Sequence, residues 1–305
     1  MTQPSLRINE VGLRDGLQNQ PRFVSTEDKL RMAHALADAG VVHLEASSFV
    51  SPKAVPQMAD AELVLAGLRT LAQVKPSALV PNERGLERAL QMRVQEIAVV
   101  LSATDTMNRR NIRMSLAEAL ATCQRTVAAA KTAGIRTKAY IAVAFECPFE
   151  GATAQGAVLD LLAQLPQADE IVIADTIGAA HPKAVAALMR QCLALRPAGE
   201  LSIHLHDTRG MAVANAWAAL DAGIAQFDSS VGGLGGCPFA PGAAGNLATE
   251  DLVLLANASG FATGIDLGKL RAATRMAEGI TGLTLGGRSE AYLRRQDAKS
   301  QLEAA

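Results

Sequence analysis

Two histidines one residue apart, His204 and His206, stand in the β-branched, apolar stretch Leu201-Ser202-Ile203-His204-Leu205-His206. Side chains at i and i+2 of a strand point to the same face. Both imidazoles can therefore converge on one point, and two such nitrogens beside a carboxylate suit a divalent metal. Asp15, in Val11-Gly12-Leu13-Arg14-Asp15-Gly16, is the candidate carboxylate. A bare His-x-His is otherwise read as two satisfied polar residues in a strand. The second feature is the run from Gly232 to Asn246, with six glycines and two prolines around Cys237. Such backbone can take positive φ and approach a ligand closely, which suits a lid. Its spacing matches neither a Walker loop nor a dinucleotide fingerprint. Cys237 is either an incidental small residue or a thiol that a nearby cation acidifies. Asn246 and Glu250 follow four residues apart. Asn246 could lend a metal its amide oxygen with Glu250 orienting it, or the pair could simply cap and charge the start of a helix.

These residues need a scaffold that gathers them. Short β-branched runs at 6–12, 41–48, 75–80, 96–102, 136–144, 170–175, 200–206 and 225–231 read as strands. Amphipathic helices are expected between them, near 25–40, 59–72, 83–92, 115–134, 153–165, 182–195, 211–222 and 248–258. Ser25 and Ser115 open two of these helices as caps, and Gly40 and Gly134 close them. Eight alternating units predict a (β/α)8 TIM barrel over residues 1–264, with extra C-terminal helices and a polar tail over 265–305. A doubly wound open sheet is the alternative, and it needs only five or six strands. The out-of-place polar residues Arg14, Asp15, Glu45, Asp175, His204 and His206 all fall at C-terminal strand ends, the rim on which TIM-barrel sites are built. Barrel closure would bring the first strand next to the eighth, so Asp15 lies near the seventh strand's histidines.

Several stretches together resemble the 3-hydroxy-3-methylglutaryl-CoA lyases. They are Glu10-Val11-Gly12-Leu13-Arg14-Asp15-Gly16-Leu17-Gln18-Asn19, Glu45-Ala46-Ser47-Ser48-Phe49-Val50-Ser51-Pro52-Lys53, Val55-Pro56-Gln57-Met58, Cys147-Pro148-Phe149-Glu150-Gly151, Asp175-Thr176-Ile177-Gly178, His204-Leu205-His206-Asp207-Thr208, and the run from Gly232 to Asp251. The resemblance covers residues 8 to 285 or so. It implies a TIM-barrel, metal-dependent lyase that breaks a carbon–carbon bond in a hydroxyacyl-CoA. It further implies Asp15, His204, His206 and Asn246 as ligands of Mg²⁺ or Mn²⁺, Arg14 beside the thioester, and Cys237 as the thiol of the lid. Glu45, Asp175 and Glu250 match acids that support the site, with Gln18 behind the metal set. Either Asp15 or His206 would act as the base. Leu13 stands where many members have proline, and residues 141–146 and Arg209 also depart from the pattern, which bears on the acyl pocket. Another branched hydroxyacyl-CoA, such as citramalyl-CoA or a longer 3-alkyl compound, therefore remains an alternative substrate. A Claisen-type synthase or a non-catalytic metal-binding barrel is a more distant alternative.

A CoA substrate needs cations for its phosphates. Arg109, Arg110 and Arg113, expected in the loop after the fourth strand, are candidates for CoA binding, with a solvated basic turn as the other reading. A net charge of −1 and 3% aromatic residues give no reason to expect nucleic acid or an acidic membrane as partner. No apolar run reaches transmembrane length, and Met1 to Arg7 lacks the apolar core of a secretory signal. Four scattered cysteines fit reduced thiols. A cytoplasmic homodimer is expected.

Overall fold

The structure is a computed structural model and describes residues 3–236 and 245–296. Its strands are β1 (Arg7–Glu10), β2 (His43–Ser48), β3 (Lys75–Leu79), β4 (Glu96–Ser102), β5 (Arg136–Ala142), a hairpin of β6 (Glu146–Cys147) and β7 (Gly151–Ala152), β8 (Glu170–Asp175), β9 (Leu201–Leu205) and β10 (Gln226–Ser229). Eight of them close into a parallel barrel in the order β1-β10-β9-β8-β5-β4-β3-β2. The TIM barrel read from the sequence is therefore the fold. The barrel strands are short and largely buried, and every residue of β8 is buried, as a sheet covered on both faces demands.

The helices are α1 (Thr26–Asp38), α2 (Ala61–Gly67), α3 (Glu83–Gln91), α4 (Asp105–Ile112), α5 (Leu116–Thr132), α6 (Gln155–Ala163), α7 (Pro182–Leu195), α8 (Ala212–Asp221), α9 (Thr249–Ala258) and α10 (Leu267–Thr281). Ser25 accepts the Asp28 N–H at the head of α1, and Ser115 with Glu118 forms a reciprocal capping box on α5. The main apolar core lies between sheet and helices. A smaller cluster of Ala98, Tyr140 and Val172 is separate from it. The Tyr140 hydroxyl reaches Asp228 on β10, across the barrel from β5, which places this cluster inside the barrel. Beyond the barrel, α10 packs on α1. No helix among the described residues is long and apolar enough to cross a membrane.

Two departures from the sequence reading bear on function. The first strand was expected to run to residue 12, but it stops at Glu10, and Gly12–Gly16 forms one π-helical turn. The Val11 carbonyl accepts the N–H groups of Arg14, Asp15 and Gly16, so the chain turns instead of extending. Arg14 and Asp15 thus sit on a turn over the barrel mouth, where π-turns tend to mark functional positions. The second departure is α4, where a loop was expected. Asn108 anchors this helix by accepting the Ser102 N–H and donating to the Ser102 and Thr104 carbonyls, contacts that sequence periodicity does not reveal.

Candidate metal and active site

The β9 backbone carries His204 inward, and His206 follows one residue past the strand. The two Nε2 atoms lie 3.1 Å apart. Asp15 Oδ2 stands 3.9 Å from His206 Nε2. Ligand atoms from Asp15, His204 and His206 all fall within 4.8 Å of one another, and all three residues are buried. Closure of β1 on β10 and of β10 on β9 makes this meeting possible.

Asn246 arrives by a route that sequence spacing does not show. Residues 245–248 lie beside the ends of β9 and β10, with His206 bridging to Asn246 and Ser230 to Ala248. Asp207 N–H donates to the Gly245 carbonyl, and Leu247 N–H to that of Leu205. The Asn246 side chain then donates to Asp15 Oδ2 (2.9 Å) and the Leu234 carbonyl (3.1 Å). Its Oδ1 is buried with no hydrogen-bond partner among the described residues.

Charge in the site is arranged around Arg14. Its guanidinium donates to Glu45 Oε2 and to Asp15 Oδ1, each at 2.7 Å. Gln18 adds a 2.9 Å bond to Asp15 Oδ1. Glu45 lies in β2 where the register with β3 shifts between Glu45 and Ser47. Such an irregularity locally re-aims side chains. Burial alone would raise the Asp15 carboxyl, but Arg14, the two imidazoles and the Asn246 bond hold it down at about 2. Burial, then the neighbouring His204, press His206 down to about 4, so it is neutral at ordinary pH. Burial also opposes a charged His204, but its contact with Asp228 outweighs that and raises it. Burial pushes Glu45 upward despite Arg14.

The other residues singled out from sequence are placed differently. Asp175 accepts the N–H groups of Ala179 and Ala180, and burial lifts it to about 6 despite those bonds. Glu250 does not orient Asn246. Its carboxylate accepts the Gly232 N–H and the Thr274 hydroxyl, because Asn246 is held by the bridge to His206 before α9 begins. Arg109 and Arg110 are on α4, not in a loop, and Arg113 caps it in a left-handed conformation (φ 59°). Arg109 pairs with Asp105, and the Arg110 guanidinium lies 4.3 Å from the centre of the Phe149 ring. Cys237 and most of its glycine-rich run lie outside the described residues. Cys123, Cys147 and Cys192 are buried and unpaired, and burial raises the Cys123 and Cys192 thiols to about 12.

Sequence reasoning missed Asp228 and Glu10. Asp228 accepts from His204 Nδ1 (3.0 Å), the Tyr140 hydroxyl (2.7 Å) and Asn9 Nδ2 (2.8 Å). An acid inside the strand run Gln226-Phe227-Asp228-Ser229 was the available signal. Glu10 accepts the Gly12 and Val231 N–H groups and the Thr249 hydroxyl.

The HMGL-like family model matches residues 5–277. The chain belongs to the hydroxymethylglutaryl-CoA lyase family. It is 42% identical over 284 residues to the hydroxymethylglutaryl-CoA lyase YngG of Bacillus subtilis, covering 92% of this chain and 95% of that one. It is 40% identical over 286 residues to the 3-hydroxy-3-isohexenylglutaryl-CoA/hydroxy-methylglutaryl-CoA lyase of Pseudomonas aeruginosa, covering 93% and 95%. Among solved structures, an HMG-CoA lyase from Acenitobacter baumannii in complex with coenzyme A and 3-methylmalate superposes with a TM-score of 0.89 at 37% identity, over 93% of this chain and 94% of that one. The chain is thus a lyase by family, and its π-turn, His-x-His pair and 245–248 segment lie within the matched region.

Proposed function

We propose that this lyase cleaves 3-hydroxy-3-methylglutaryl-CoA to acetyl-CoA and acetoacetate, with Asp15, His204, His206 and Asn246 holding Mg²⁺ or Mn²⁺. The observation that carries the metal reading is the facing pair of imidazole nitrogens at 3.1 Å. His204 Nδ1 faces the Asp228 carboxylate at 3.0 Å, and with the ring proton kept on Nδ1 its Nε2 bears a lone pair aimed at His206. Two lone pairs so close repel unless a cation or proton lies between them. The buried, unpartnered Asn246 Oδ1 and the ionised Asp15 complete a mixed nitrogen and oxygen set that suits a hard-to-borderline divalent ion.

When bound, the metal supplies Lewis acidity to the tertiary hydroxyl and the thioester carbonyl of the substrate. Asp15 or His206 takes the hydroxyl proton. The bond between C2 and C3 of the glutaryl chain then breaks, C3 becomes the ketone of acetoacetate, and the electron pair moves into the thioester enolate. Arg14, fixed by Glu45 and Asp15, presents its guanidinium to the developing enolate oxygen without having to reorganise. Cys237 donates the proton that turns the enolate into acetyl-CoA. Arg109, Arg110 and Arg113 provide cationic contacts for the CoA phosphates. The protein acts as a homodimer in the cytoplasm, a reading that sedimentation and fractionation test.

A second acyl group has specific support. The Pseudomonas aeruginosa relative is named for both a 3-isohexenyl and a 3-methyl substrate. In this chain Arg209 pairs with Glu146 at 2.9 Å, joining the β6 hairpin to the loop after β9. The deciding experiment is a panel of CoA thioesters with 3-methyl, 3-isohexenyl and citramalyl groups, run on metal-stripped and Mn²⁺-restored enzyme. The proposal predicts metal-dependent release of acetyl-CoA, fastest from the 3-methyl compound. Preference for another thioester overturns the substrate, and full activity after stripping overturns the metal.

A further inference from the structure

Beneath the metal ligands a second set of buried groups converges on Asp228. This residue lies on β10, and its register partner on β9 is His204 itself. Its carboxylate is fully inside the barrel and takes three donors from three other strands: Asn9 on β1, Tyr140 on β5 and His204 on β9. The Tyr140 hydroxyl and His204 Nδ1 share one oxygen, Oδ2. Oδ2 already receives the Tyr140 hydroxyl and so stands as an acceptor, which places the proton between it and His204 on Nδ1. His206 has no such arrangement, since its Nδ1 is buried with no partner among the described residues.

We propose that Asp228 is a positioning residue that locks His204 as the Nδ1–H tautomer and aims its Nε2 at the point shared by Asp15 and His206. The proposal rests on the metal reading above and makes it asymmetric: His204 is the pre-organised ligand, and His206 adjusts to the ion. A carboxylate behind a ligating imidazole fixes the ring and raises its basicity, and removing it weakens metal binding by about 10- to 100-fold. A merely structural Asp228 would plug the barrel equally well through any of its three bonds.

The test uses Mn²⁺ alone, titrated into the full chain and read by electron paramagnetic resonance of the free ion. Asp228→Ala is expected to bind about 10- to 100-fold more weakly than wild type. Asn9→Ala removes a different bond to the same carboxylate and should stay within about threefold, since it leaves the His204 contact in place. Should Asp228→Ala fail to fold, the isosteric Asp228→Asn serves in the same comparison. Independently of metal, ¹⁵N spectra of histidine-labelled apoprotein should show His204 as Nδ1–H in wild type. Equal Mn²⁺ affinity in wild type and folded Asp228→Ala overturns the proposal alone, as does an Nε2–H form of wild-type His204. Wild type that takes up no Mn²⁺ overturns the metal reading and this proposal together.

Discussion

Replacing Glu10 by Gln should change the stability of the protein little in mild acid and make it more stable than wild type in mild base. Glu10 is fully buried at the end of β1, and burial lifts its carboxyl from the ordinary 4.5 to about 7. Bonds from Thr249, Val231 and Gly12 pull it back part of the way, and Glu250 pushes it up again. Glu250 is itself lifted to about 7, again chiefly by burial. At these two groups the native state therefore holds more proton than the unfolded chain between about pH 4.5 and pH 7. Where the native state holds the extra proton, stability falls as pH rises. It is fully present below the unfolded value and lost as pH passes through the folded one. A displacement of about two and a half pH units corresponds to about 3 kcal/mol per group. The Gln side chain can imitate protonated Glu10. Its carbonyl can accept from the Gly12 and Val231 N–H groups, and its NH₂ can face the Thr249 hydroxyl, which can turn its own proton to Ser229. Urea unfolding of both proteins at about pH 5, 6, 7 and 8 isolates this group, because His43, His206 and Asp175 titrate alike in both. The difference should be under about 1 kcal/mol at about pH 5 and reach about 3 kcal/mol in favour of Glu10→Gln by about pH 8. A difference that stays flat with pH, or wild type gaining on the variant as pH rises, would refute the reasoning by showing that Glu10 folds as a carboxylate.

Three further outcomes follow from the site. His206→Ala should lose Mn²⁺ and activity together, and metal analysis showing full occupancy would contradict its assignment as a ligand. Cys237→Ala should keep the fold and the metal while turnover falls on the order of 10²-fold, the scale of losing a positioned acid. Steady-state rates near wild type with metal bound would pass the proton-donor role to another group. Gly178→Ala should destabilise the protein by about 2 kcal/mol, because the residue has φ 63° and a Cβ there would lie 2.8 Å from the Thr208 backbone nitrogen. A thermal melt unchanged from wild type would show that the loops after β8 and β9 move apart freely.

The barrel was legible in the sequence because local signals repeat: caps such as Ser25 and Ser115, and short β-branched runs such as Ile171-Val172-Ile173, recur at the length of a strand–helix unit. His204 and His206 were legible for a similarly local reason, since the two-residue period of a strand is enough to put them on one face. Asp15 came into range by closure of the barrel, which the number of units implies. What local spacing suggested for Glu250 did not survive, because an i,i+4 pair meets only inside a continuous helix. Asn246 instead lies in an extended segment bridged to His206, while Glu250 turns toward Gly232 and Thr274. The basic cluster after β4 likewise became a helix through the side chain of Asn108, whose three bonds to Ser102 and Thr104 leave no periodic trace. Asp228 and Glu10 were decided only by tertiary structure. Each is a single acid in a short strand, and its meaning depends on partners more than 200 residues distant in sequence, Asn9 with Asp228 and Val231 with Glu10. Sequence alone determined the fold and the residue types to which the proposed chemistry is assigned. Closure of the barrel decided that Asp228 stands behind His204 and that Glu10 holds the Gly12 and Val231 backbone, because burial and hydrogen-bond partners are properties of the packed whole.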